Sequence, residues 1–353
     1  MTIPLRIAVG WDPAGWHEKF VEAFRAQQAK GLAFDFERVN LDVNDWIEAV
    51  APFDLVLWNP YIMGPISVSH FKEKVYFMET FMGKIVVPNF KTIWHFESKV
   101  AQTWLFRQAK VKTPKTFVSF DLKDAQEALK ETDMPLVFKA SHGASSQNVR
   151  LINNRSGAKK IVDKLFYQQN WNVIRAASSG KRSAFVKALS KGWLMEKVLG
   201  SLYGRERQAV VYWQEFIKGN PADLRISVIG DRTAFGFWRK NRPGDFRASG
   251  SGRIDYEKPI PESCLRYCVG LNRQLDFDSM AYDILFSGDG FIITEMSHSY
   301  LDKPIHNAKG FYTVTAAAPV AFTERPTWPQ EVWAQWTLRR AGLVPALLGE
   351  TAG

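Results

Sequence analysis

The sequence predicts an α/β protein that begins with an open parallel sheet and continues into a second, strand-rich part of mixed α and β structure. Three observations lead to this fold class. Strands and helices alternate over the first ninety residues, two tight-hairpin patterns occur between residues 223 and 297, and no internal repeat or low-complexity tract interrupts the chain.

The length and composition of the chain exclude several other classes of protein. The chain has 353 residues, of which 46% are hydrophobic and 23% charged, which suits two or three compact units and excludes disorder, collagen and coiled coil. We expect no transmembrane segment and no signal peptide, because no apolar run approaches the required length. Cys264 and Cys268 lie four residues apart without a second pair, which excludes a common zinc motif. We therefore expect a cytoplasmic protein with reduced thiols.

Charge is concentrated in one segment. Lys and Arg number 46 against 36 Asp and Glu, a formal net charge of +10. Residues 155–207 contain twelve basic and three acidic residues, a net +9, so one segment carries nearly the whole excess. Such a segment indicates an anionic partner or substrate.

The N-terminal elements follow a β-α-β-α-β order. Apolar or alternating runs predict strands, and helical spacing of apolar residues predicts the helices between them. Gly31 is expected to end the first helix, and Asn44 is expected to cap the second. The predicted strands are residues 5–10, 34–41, 53–60 and 84–89, and the predicted helices are 17–31 and 45–50. No GxGxxG follows the first strand, so no dinucleotide site is assigned.

The remaining elements are predicted from the same patterns. A helix is expected over residues 92–111, and a further helix carries both cysteines. Other predictions are a helix at 124–132, a strand–loop–strand at 135–152, mostly helical structure over 155–207, a strand at 210–217, and hairpins at 223–240 and 281–297. Beyond Arg325 we expect a short amphipathic helix whose Trp328, Trp333 and Trp336 pack on the protein body.

Two carboxylates are expected to meet on the last hairpin. Asp283 and Glu295 lie twelve residues apart on strands joined by a tight turn at 287–290, which folds one side chain back beside the other. Paired carboxylates offer the oxygen ligands that Mg²⁺ prefers when it also binds substrate phosphates. Two surface acids on a hairpin are the structural alternative.

Two further segments have polar residues at strand ends. Lys139 ends an apolar strand and precedes a loop of small residues, so a cation and backbone N–H groups could surround phosphate oxygens. The apolar strand WQEFI is followed by Asp223 and Arg225, where backbone atoms of a linker could contact a base and a carboxylate could bind ribose hydroxyls. Each pattern alone is also typical of an ordinary strand end.

The order of these motifs resembles the ATP-grasp superfamily, and most closely its RimK-type carboxylate–amine ligases. The similarity covers about residues 95 to 300. Its motifs are Lys99, Pro114-Lys115-Thr116, Lys139 with SHGASSQNV, Gln214-Glu215-Phe216-Ile217, Asp223-Leu224-Arg225, Gly244-Asp245-Phe246-Arg247, and Asp283 with Glu295-Met296-Ser297.

The resemblance implies an ATP-grasp fold, in which two α+β lobes clasp ATP, preceded by a small α/β domain with an open parallel sheet. The implied domains are residues 1–92 as the preceding domain, 93–213 as the small lobe with a basic helical insertion at 155–207, 214–325 as the large lobe with hinge and metal site, and 326–353 as a tail.

It also implies roles for individual residues. Arg247 and Lys139 would be catalytic, and Mg²⁺ or Mn²⁺ would be held by Asp283, Glu295 and Ser297. The residues expected to bind ATP are Lys99, Lys139, His142, Gly143, Ser145, Glu215, Phe216, Ile217, Asp223, Arg239 and Arg247. The chain departs from the family where Ser297 replaces the usual Asn and where Ser299-Tyr300 replace the usual Pro-Gly.

The activity implied is ATP-dependent ligation of a carboxylate to an amine through an acyl phosphate. A basic platform for an anionic acceptor is expected at Arg175, Lys181, Arg182, Lys187 and Lys191, with a solvated insertion or an oligomer contact as the structural alternative. Three other functions stay open: a kinase of the same superfamily, a nucleotide-dependent polyanion binder, and a nucleic-acid protein, which no motif supports. The acceptor, the amine and a homo-oligomeric state are also left open.

Overall fold

The computed structural model describes residues 4–60, 65–141, 149–167, 210–288 and 290–343. The chain forms two compact units, a larger one of Met1–Thr113 with Ile217–Gly353 and a smaller one of Pro114–Phe216. One boundary between them therefore falls between Phe216 and Ile217, inside the segment expected to be a hinge. The four-part domain division stays a proposal, and residues 93–113 group with the larger unit.

The larger unit begins with a four-stranded parallel sheet in the order β2-β1-β3-β4. Its elements are β1 (Leu5–Gly10), α1 (Trp16–Ala29), β2 (Phe34–Val39), α2 (Trp46–Val50), β3 (Leu55–Leu57), α3 (Pro65–Thr80) and β4 (Ile85–Val87). The predicted alternation is confirmed. The sequence analysis did not predict α3, although its buried Val68, Phe71 and Val75 recur at helical spacing. Asp45, and not the predicted Asn44, precedes the first residue of α2.

The single helix predicted over residues 92–111 is wrong, because the structure has two helices there. They are α4 (Phe90–Ile93) and α5 (Lys99–Gln108). Glu97 lies between them in a left-handed conformation, with φ of 56°, which a continuing helix cannot contain. Ser98 then starts α5, because its hydroxyl accepts a hydrogen bond from the N–H of Ala101 at 3.2 Å.

In its described residues, the smaller unit is an antiparallel sheet with two helices packed against it. Its elements are β5 (Thr116–Ser119), α6 (Leu122–Glu131), β6 (Leu136–Lys139), β7 (Val149–Ile152), α7 (Arg155–Tyr167) and β8 (Val211–Glu215), and the strand order is β5-β8-β6-β7. Trp213 is buried and stacks on Phe117 with ring centroids 4.2 Å apart. Ala158 and Val162 of α7 are fully buried, so the first residues of the basic segment 155–207 belong to this core.

A second, antiparallel sheet forms the centre of the larger unit. Its order is β13-β12-β9-β10-β14-β15, and β11 also pairs with β10. The strands are β9 (Ala222–Ile229), β10 (Thr233–Lys240), β11 (Ile254–Asp255), β12 (Ser279–Ser287), β13 (Gly290–Ser297), β14 (Phe311–Thr313) and β15 (Ala321–Thr323). Both predicted hairpins, β9–β10 and β12–β13, are confirmed.

The two faces of this sheet differ in polarity at the end that contains Asp223. Successive side chains of a strand point to opposite faces, so Leu224, Ile226 and Val228 share one face. They pack in one core with Leu265 of helix α8 (Glu262–Gln274). The intervening residues of β9 lie on the other face, where Asp223 and Arg225 begin a polar surface. On that same face, Ile229, Phe235 and Phe237 are buried in another apolar core. One face of the sheet is thus apolar, and the other is charged only at the end near Asp223.

The C-terminal helices complete the larger unit. They are α9 (Asp302–His306) and α10 (Pro329–Arg340). Trp333 of α10 is buried and packs edge-on against Phe20 of α1, with ring centroids 6.4 Å apart. Gly230 lies against Trp336 of α10 and has φ of 67°; a Cβ there would lie 2.6 Å from the indole. Among the helices in the described ranges, none is long and apolar enough to cross a membrane.

A buried carboxylate joins three parts of the larger unit. Asp278, which precedes β12, accepts hydrogen bonds from Nε1 of Trp336 at 2.7 Å and from the backbone N–H of Asn89 at 2.6 Å. Its own N–H donates to the hydroxyl of Thr92 at 2.8 Å. Burial raises the pKa of Asp278 to about 6, against the opposing effect of the nearby Arg340.

We expect Asp278 to make stability depend on pH in the acidic range. Its pKa is higher in the folded than in the unfolded chain, so its contribution is present below about pH 4 and is lost as the pH rises through about 6. Unfolding by urea should show wild type gaining about 2 kcal/mol over Asp278→Asn between pH 7.5 and 4.5. Glu257→Gln, at an exposed carboxylate remote from Asp278 in the sequence, is the control. A difference between wild type and Asp278→Asn that is constant with pH would contradict this role.

Candidate active site

The last hairpin sets two carboxylates face to face. Asp283 of β12 and Glu295 of β13 are directly paired in the strand register. The register then shifts, so Ile284 pairs with Ile293 and Thr294 is an extra residue on β13. The hydroxyl of Thr294 donates to the carbonyl oxygen of Asp283 at 3.1 Å, which holds this bulge. The bulge keeps both carboxylates on the polar face while both isoleucines lie in the core.

Two arginines hold Asp283 from the other side. Arg225 pairs with Asp283 in register, and its Nε and Nη2 donate to Oδ1 at 2.7 Å and Oδ2 at 2.9 Å. Nη2 of Arg239, from β10, lies 2.8 Å from Oδ2 of the same carboxylate. Arg239 also donates through Nε to Oδ1 of Asp223 at 2.7 Å. Arg239 therefore joins the expected ribose carboxylate to the expected metal carboxylate.

These contacts fix the ionisation of the buried groups. Burial by itself disfavours the charged form of Asp283, but Arg225 and Arg239 outweigh it and lower the pKa of this carboxyl. The pKa of Arg239 is raised, because Asp283 and Asp223 more than offset its burial. Asp283 is consequently an ionised carboxylate, the form that a divalent cation requires.

Lys99 lies beside the other carboxylate. It is the first residue of α5 and is buried, and its Nζ lies 3.4 Å from Oε1 of Glu295. The side-chain oxygen of Gln102, one turn further along α5, accepts from the N–H of Met296 at 3.3 Å. Helix α5 is thus bound to β13 at the residue next to Glu295, which explains how an early lysine reaches this strand.

The donor atoms fit Mg²⁺ or Mn²⁺ as a shared ion. Asp283, Glu295 and Ser297 offer only oxygen atoms, which both ions accept. The hydroxyl of Ser297 donates to the carbonyl of Ser299 at 2.7 Å, which leaves its oxygen lone pairs as acceptors. Within the part of the chain that the structure describes, no group of three or more His, Cys, Asp or Glu side chains could hold a metal. Asp283 and Glu295 would therefore bind the ion together with phosphate and water oxygens.

Arg247 lies on the loop after β10 and is paired within its own motif. Its Nε and Nη2 bond to the carboxylate of Asp245 at 2.9 Å and 2.5 Å. This contact lowers the pKa of Asp245 and raises that of Arg247. To contact a phosphate as expected, Arg247 would have to leave Asp245 or bind the carboxylate and the phosphate together.

The expected residues of the smaller unit lie at opposite ends of two paired strands. Lys139 is the last residue of β6, and Glu215 is the last residue of β8. Because Glu215 pairs with Leu136 in the antiparallel register, three residues, or about 10 Å, separate it from Lys139 along the strand. The backbone N–H of Glu215 donates to the carbonyl of Lys115 at 2.9 Å. Phe216 and Ile217 follow at the boundary of the units.

Several expected residues lie outside the described ranges. They are His142, Gly143 and Ser145 of the loop after β6, and Arg175, Lys181, Arg182, Lys187 and Lys191 of the basic segment. Among the described residues, the structure brings Lys99, Asp223, Arg239, Asp283 and Glu295 together in the larger unit. The sequence analysis named Arg225 together with Asp223 but gave Arg225 no role in the site. Its position two residues after Asp223, on the same face of a strand, was the available signal.

Tyr300, which with Ser299 replaces the usual Pro-Gly of the family, is held by side-chain hydrogen bonds. The hydroxyl of Tyr300 lies 2.5 Å from Oγ of Ser279 and accepts from Nε1 of Trp333 at 3.3 Å. Burial raises the pKa of Tyr300 to about 12. These contacts anchor the segment after β13 to β12 and α10. The preceding His298 is buried against Phe96, and burial lowers its pKa to about 3.

No protein-family model matches the chain. Two curated proteins are similar in sequence. Alpha-aminoadipate–LysW ligase LysX of Saccharolobus solfataricus is 22% identical over 233 residues, which cover 65% of this chain and 72% of that protein. The protein named "Probable alpha-L-glutamate ligase" of Cellvibrio japonicus is 22% identical over 250 residues, 69% of each chain.

Solved structures are similar in fold. The ADP complex of purK, N5-carboxyaminoimidazole ribonucleotide synthetase, has a TM-score of 0.58 at 11% identity and covers 98% of this chain and 80% of its own. The ATP-grasp ligase PsnB complexed with minimal precursor has a TM-score of 0.53 at 13% identity, with 96% and 99% covered. The fold is thus the ATP-grasp fold. The chain is also similar in sequence to two proteins that are named as ligases, and its motifs resemble those of RimK-type ligases.

We expect the charges on the polar face to depend on one another. Asp223→Ala should leave Arg239 with one carboxylate fewer and lower the free energy of unfolding by about 3 kcal/mol. The double variant Asp223→Ala/Arg239→Met restores charge balance and should be more stable than Asp223→Ala alone. Urea unfolding measures both, with the exposed Glu257→Ala as a control that changes little. If the double variant loses as much free energy of unfolding as Asp223→Ala and Arg239→Met lose separately when added together, the two charges do not depend on each other.

Proposed function

We propose that this chain is an ATP-dependent carboxylate–amine ligase that forms an amide bond through an acyl phosphate and releases ADP and phosphate. The observation that carries the proposal is the register that sets Asp283 opposite Glu295, beside Lys99 and two arginines. The two curated relatives, both named as ligases, support it independently.

The reaction has two steps. A carboxylate oxygen of the acceptor attacks the terminal phosphorus of ATP, the bond to ADP breaks, and an acyl phosphate forms. The amine nitrogen then attacks the acyl carbon, phosphate leaves, and the amine gives up a proton. Positioning and charge neutralisation are what such a transfer needs from a protein, and bound Mg²⁺ supplies part of that neutralisation. Lys139 and Arg247 are the catalytic cations of the proposal.

The proposed nucleotide contacts are assigned residue by residue. Glu215, Phe216 and Ile217 bind the base, and Lys139 binds phosphates from the other end of the paired strands. Asp223 binds the ribose by sharing its carboxylate with Arg239, since a carboxylate has lone pairs for several donors. His142, Gly143 and Ser145 complete the phosphate contacts of the proposal. Asp283, Glu295 and Ser297 hold the metal.

The two cysteines lead to a prediction of the cellular compartment. Cys264 and Cys268 are free and buried in α8. Burial raises the pKa of the Cys264 thiol to about 11, which keeps it protonated at neutral pH. Unpaired thiols are typical of reducing compartments, so we expect a cytoplasmic location.

The reaction class can be tested with the acceptors that the relatives' names suggest. Purified protein is incubated with ATP, Mg²⁺ and either glutamate or α-aminoadipate, with hydroxylamine as the trapping amine. A ligase should produce a hydroxamate together with ADP and free phosphate. A stable phosphorylated product without free phosphate would decide for a kinase, and nucleotide binding without turnover of any acceptor would favour a binding protein.

The metal assignment is tested by nucleotide binding. Calorimetry with a non-hydrolysable ATP analogue should show Mg²⁺-dependent binding that Glu295→Gln weakens about tenfold or more, because one of two carboxylate ligands loses its charge. Glu257→Gln, on an exposed loop, is the matched control and should bind as wild type does. Equal affinity with and without metal would exclude this site.

The basic platform for the acceptor stays a proposal on residues outside the described ranges. Neutralising Lys181, Arg182 and Lys187 together should raise the KM for an anionic acceptor and flatten its salt dependence, because exposed charges are screened by salt. Nucleotide affinity should not change. Neutralising the exposed Lys30, Lys123 and Lys130 controls for net charge. Acceptor kinetics that match wild type would leave the segment a purely structural role.

A further inference from the structure

Six charged side chains on the polar face form one balanced group, which we call the carboxylate–arginine cluster. Its members are Lys99, Asp223, Arg225, Arg239, Asp283 and Glu295. Three are basic and three are acidic, so the formal charges cancel. The four members on β9, β10 and β12 have side chains no more than 20% exposed, so solvent screens these charges weakly.

Within this cluster, the guanidinium groups surround Asp283. Its Oδ1 accepts from Arg225, and its Oδ2 is contacted by both Arg225 and Arg239. A guanidinium bound through two parallel N–H groups fixes the plane of a carboxylate as well as its position. Lys99 is placed in the same way beside Glu295. Each of the two proposed carboxylate ligands, Asp283 and Glu295, therefore already has a cation of the protein within 3.5 Å.

The arrangement treats a bare divalent cation and a metal–nucleotide complex differently. A bare cation adds two positive charges to a balanced cluster and meets three fixed cations at close range. The same cation bound to a nucleotide polyphosphate brings more negative than positive charge, which those cations attract. The difference is large because the cluster is mostly buried, where charges interact more strongly than in water.

We infer that Arg225 is a positioning residue that holds Asp283 and makes the site accept a divalent cation only together with a nucleotide polyphosphate. This inference rests on the proposed nucleotide site. Arg225 acts through Asp283 and is not itself a ligand of the metal. Arg239 extends the effect, because it links Asp283 to Asp223 on the ribose side.

The test measures metal binding directly. Free Mn²⁺ is followed by electron paramagnetic resonance during titration of the full-length protein, first with Mn²⁺ alone and then with Mn²⁺ and ADP. We compare wild type with two variants. Arg225→Met removes both the charge and the two hydrogen bonds to Asp283, whereas Arg225→Lys keeps the charge but cannot make both hydrogen bonds. Arg232→Met is the matched control, since Arg232 forms a two-pronged pair with Asp231 at the turn of the same sheet.

The two Arg225 variants should change Mn²⁺ binding in different ways. Arg225→Met should bind Mn²⁺ alone about tenfold more tightly than wild type, because one opposing charge is gone. Arg225→Lys should bind Mn²⁺ alone as weakly as wild type but bind Mn²⁺ with ADP about tenfold more weakly, because Asp283 is less well oriented. Arg232→Met should match wild type in both titrations.

The outcomes that overturn the inference are distinct from failure of the proposed function. If folded Arg225→Met binds Mn²⁺ alone no better than wild type, Arg225 only holds the sheet together. If Arg225→Met does not fold, Arg225→Gln, which keeps two N–H donors without charge, decides the same question. If wild type fails to bind ADP with or without Mn²⁺, the proposed function is wrong, while the titration with Mn²⁺ alone still tests the charge effect.

Discussion

Charge pairing between neighbouring strands is the constraint on which the proposed site depends. Asp283 faces Arg225 across β12 and β9, and Asp223 faces Arg239 across β9 and β10. A single charge of this set, left without its partner in a mostly buried position, would cost several kcal/mol. The strand order and register must therefore be correct for the charges to be tolerated. The candidate chemistry and the integrity of the sheet rest on the same contacts.

The opposite face of the sheet makes this charged face possible. Leu224, Ile226 and Val228 pack against α8, and this apolar core holds β9 in place without help from the arginines. The bulge at Thr294 serves both faces. Because Ile293 and Glu295 are two residues apart, regular pairing would place both side chains on one face, and the bulge places them on opposite faces. Polar function on one face is thus stabilised by burial on the other.

The sequence predicted what depends on local pattern. Alternating runs gave the parallel sheet, and the spacing of Asp283 and Glu295 around a tight turn predicted their opposition in the register. The contact of Arg225 with Asp283 joins residues 58 apart and depends on β9 lying beside β12, which no local pattern reveals. The break before Lys99 was missed because apolar spacing continues through residues 94–98. It became visible only from the conformation of Glu97 and the cap at Ser98.

The contact between α1 and α10 has a consequence for how the chain is made. These helices lie more than 300 residues apart in the sequence, yet Phe20 and Trp333 share one core. During synthesis, α1 therefore emerges from the ribosome long before the helix that packs against it. The smaller unit, by contrast, is one continuous segment and can fold as soon as residue 216 has emerged. In a nascent chain, the apolar face of α1 that packs on Trp333 is therefore exposed until α10 has formed.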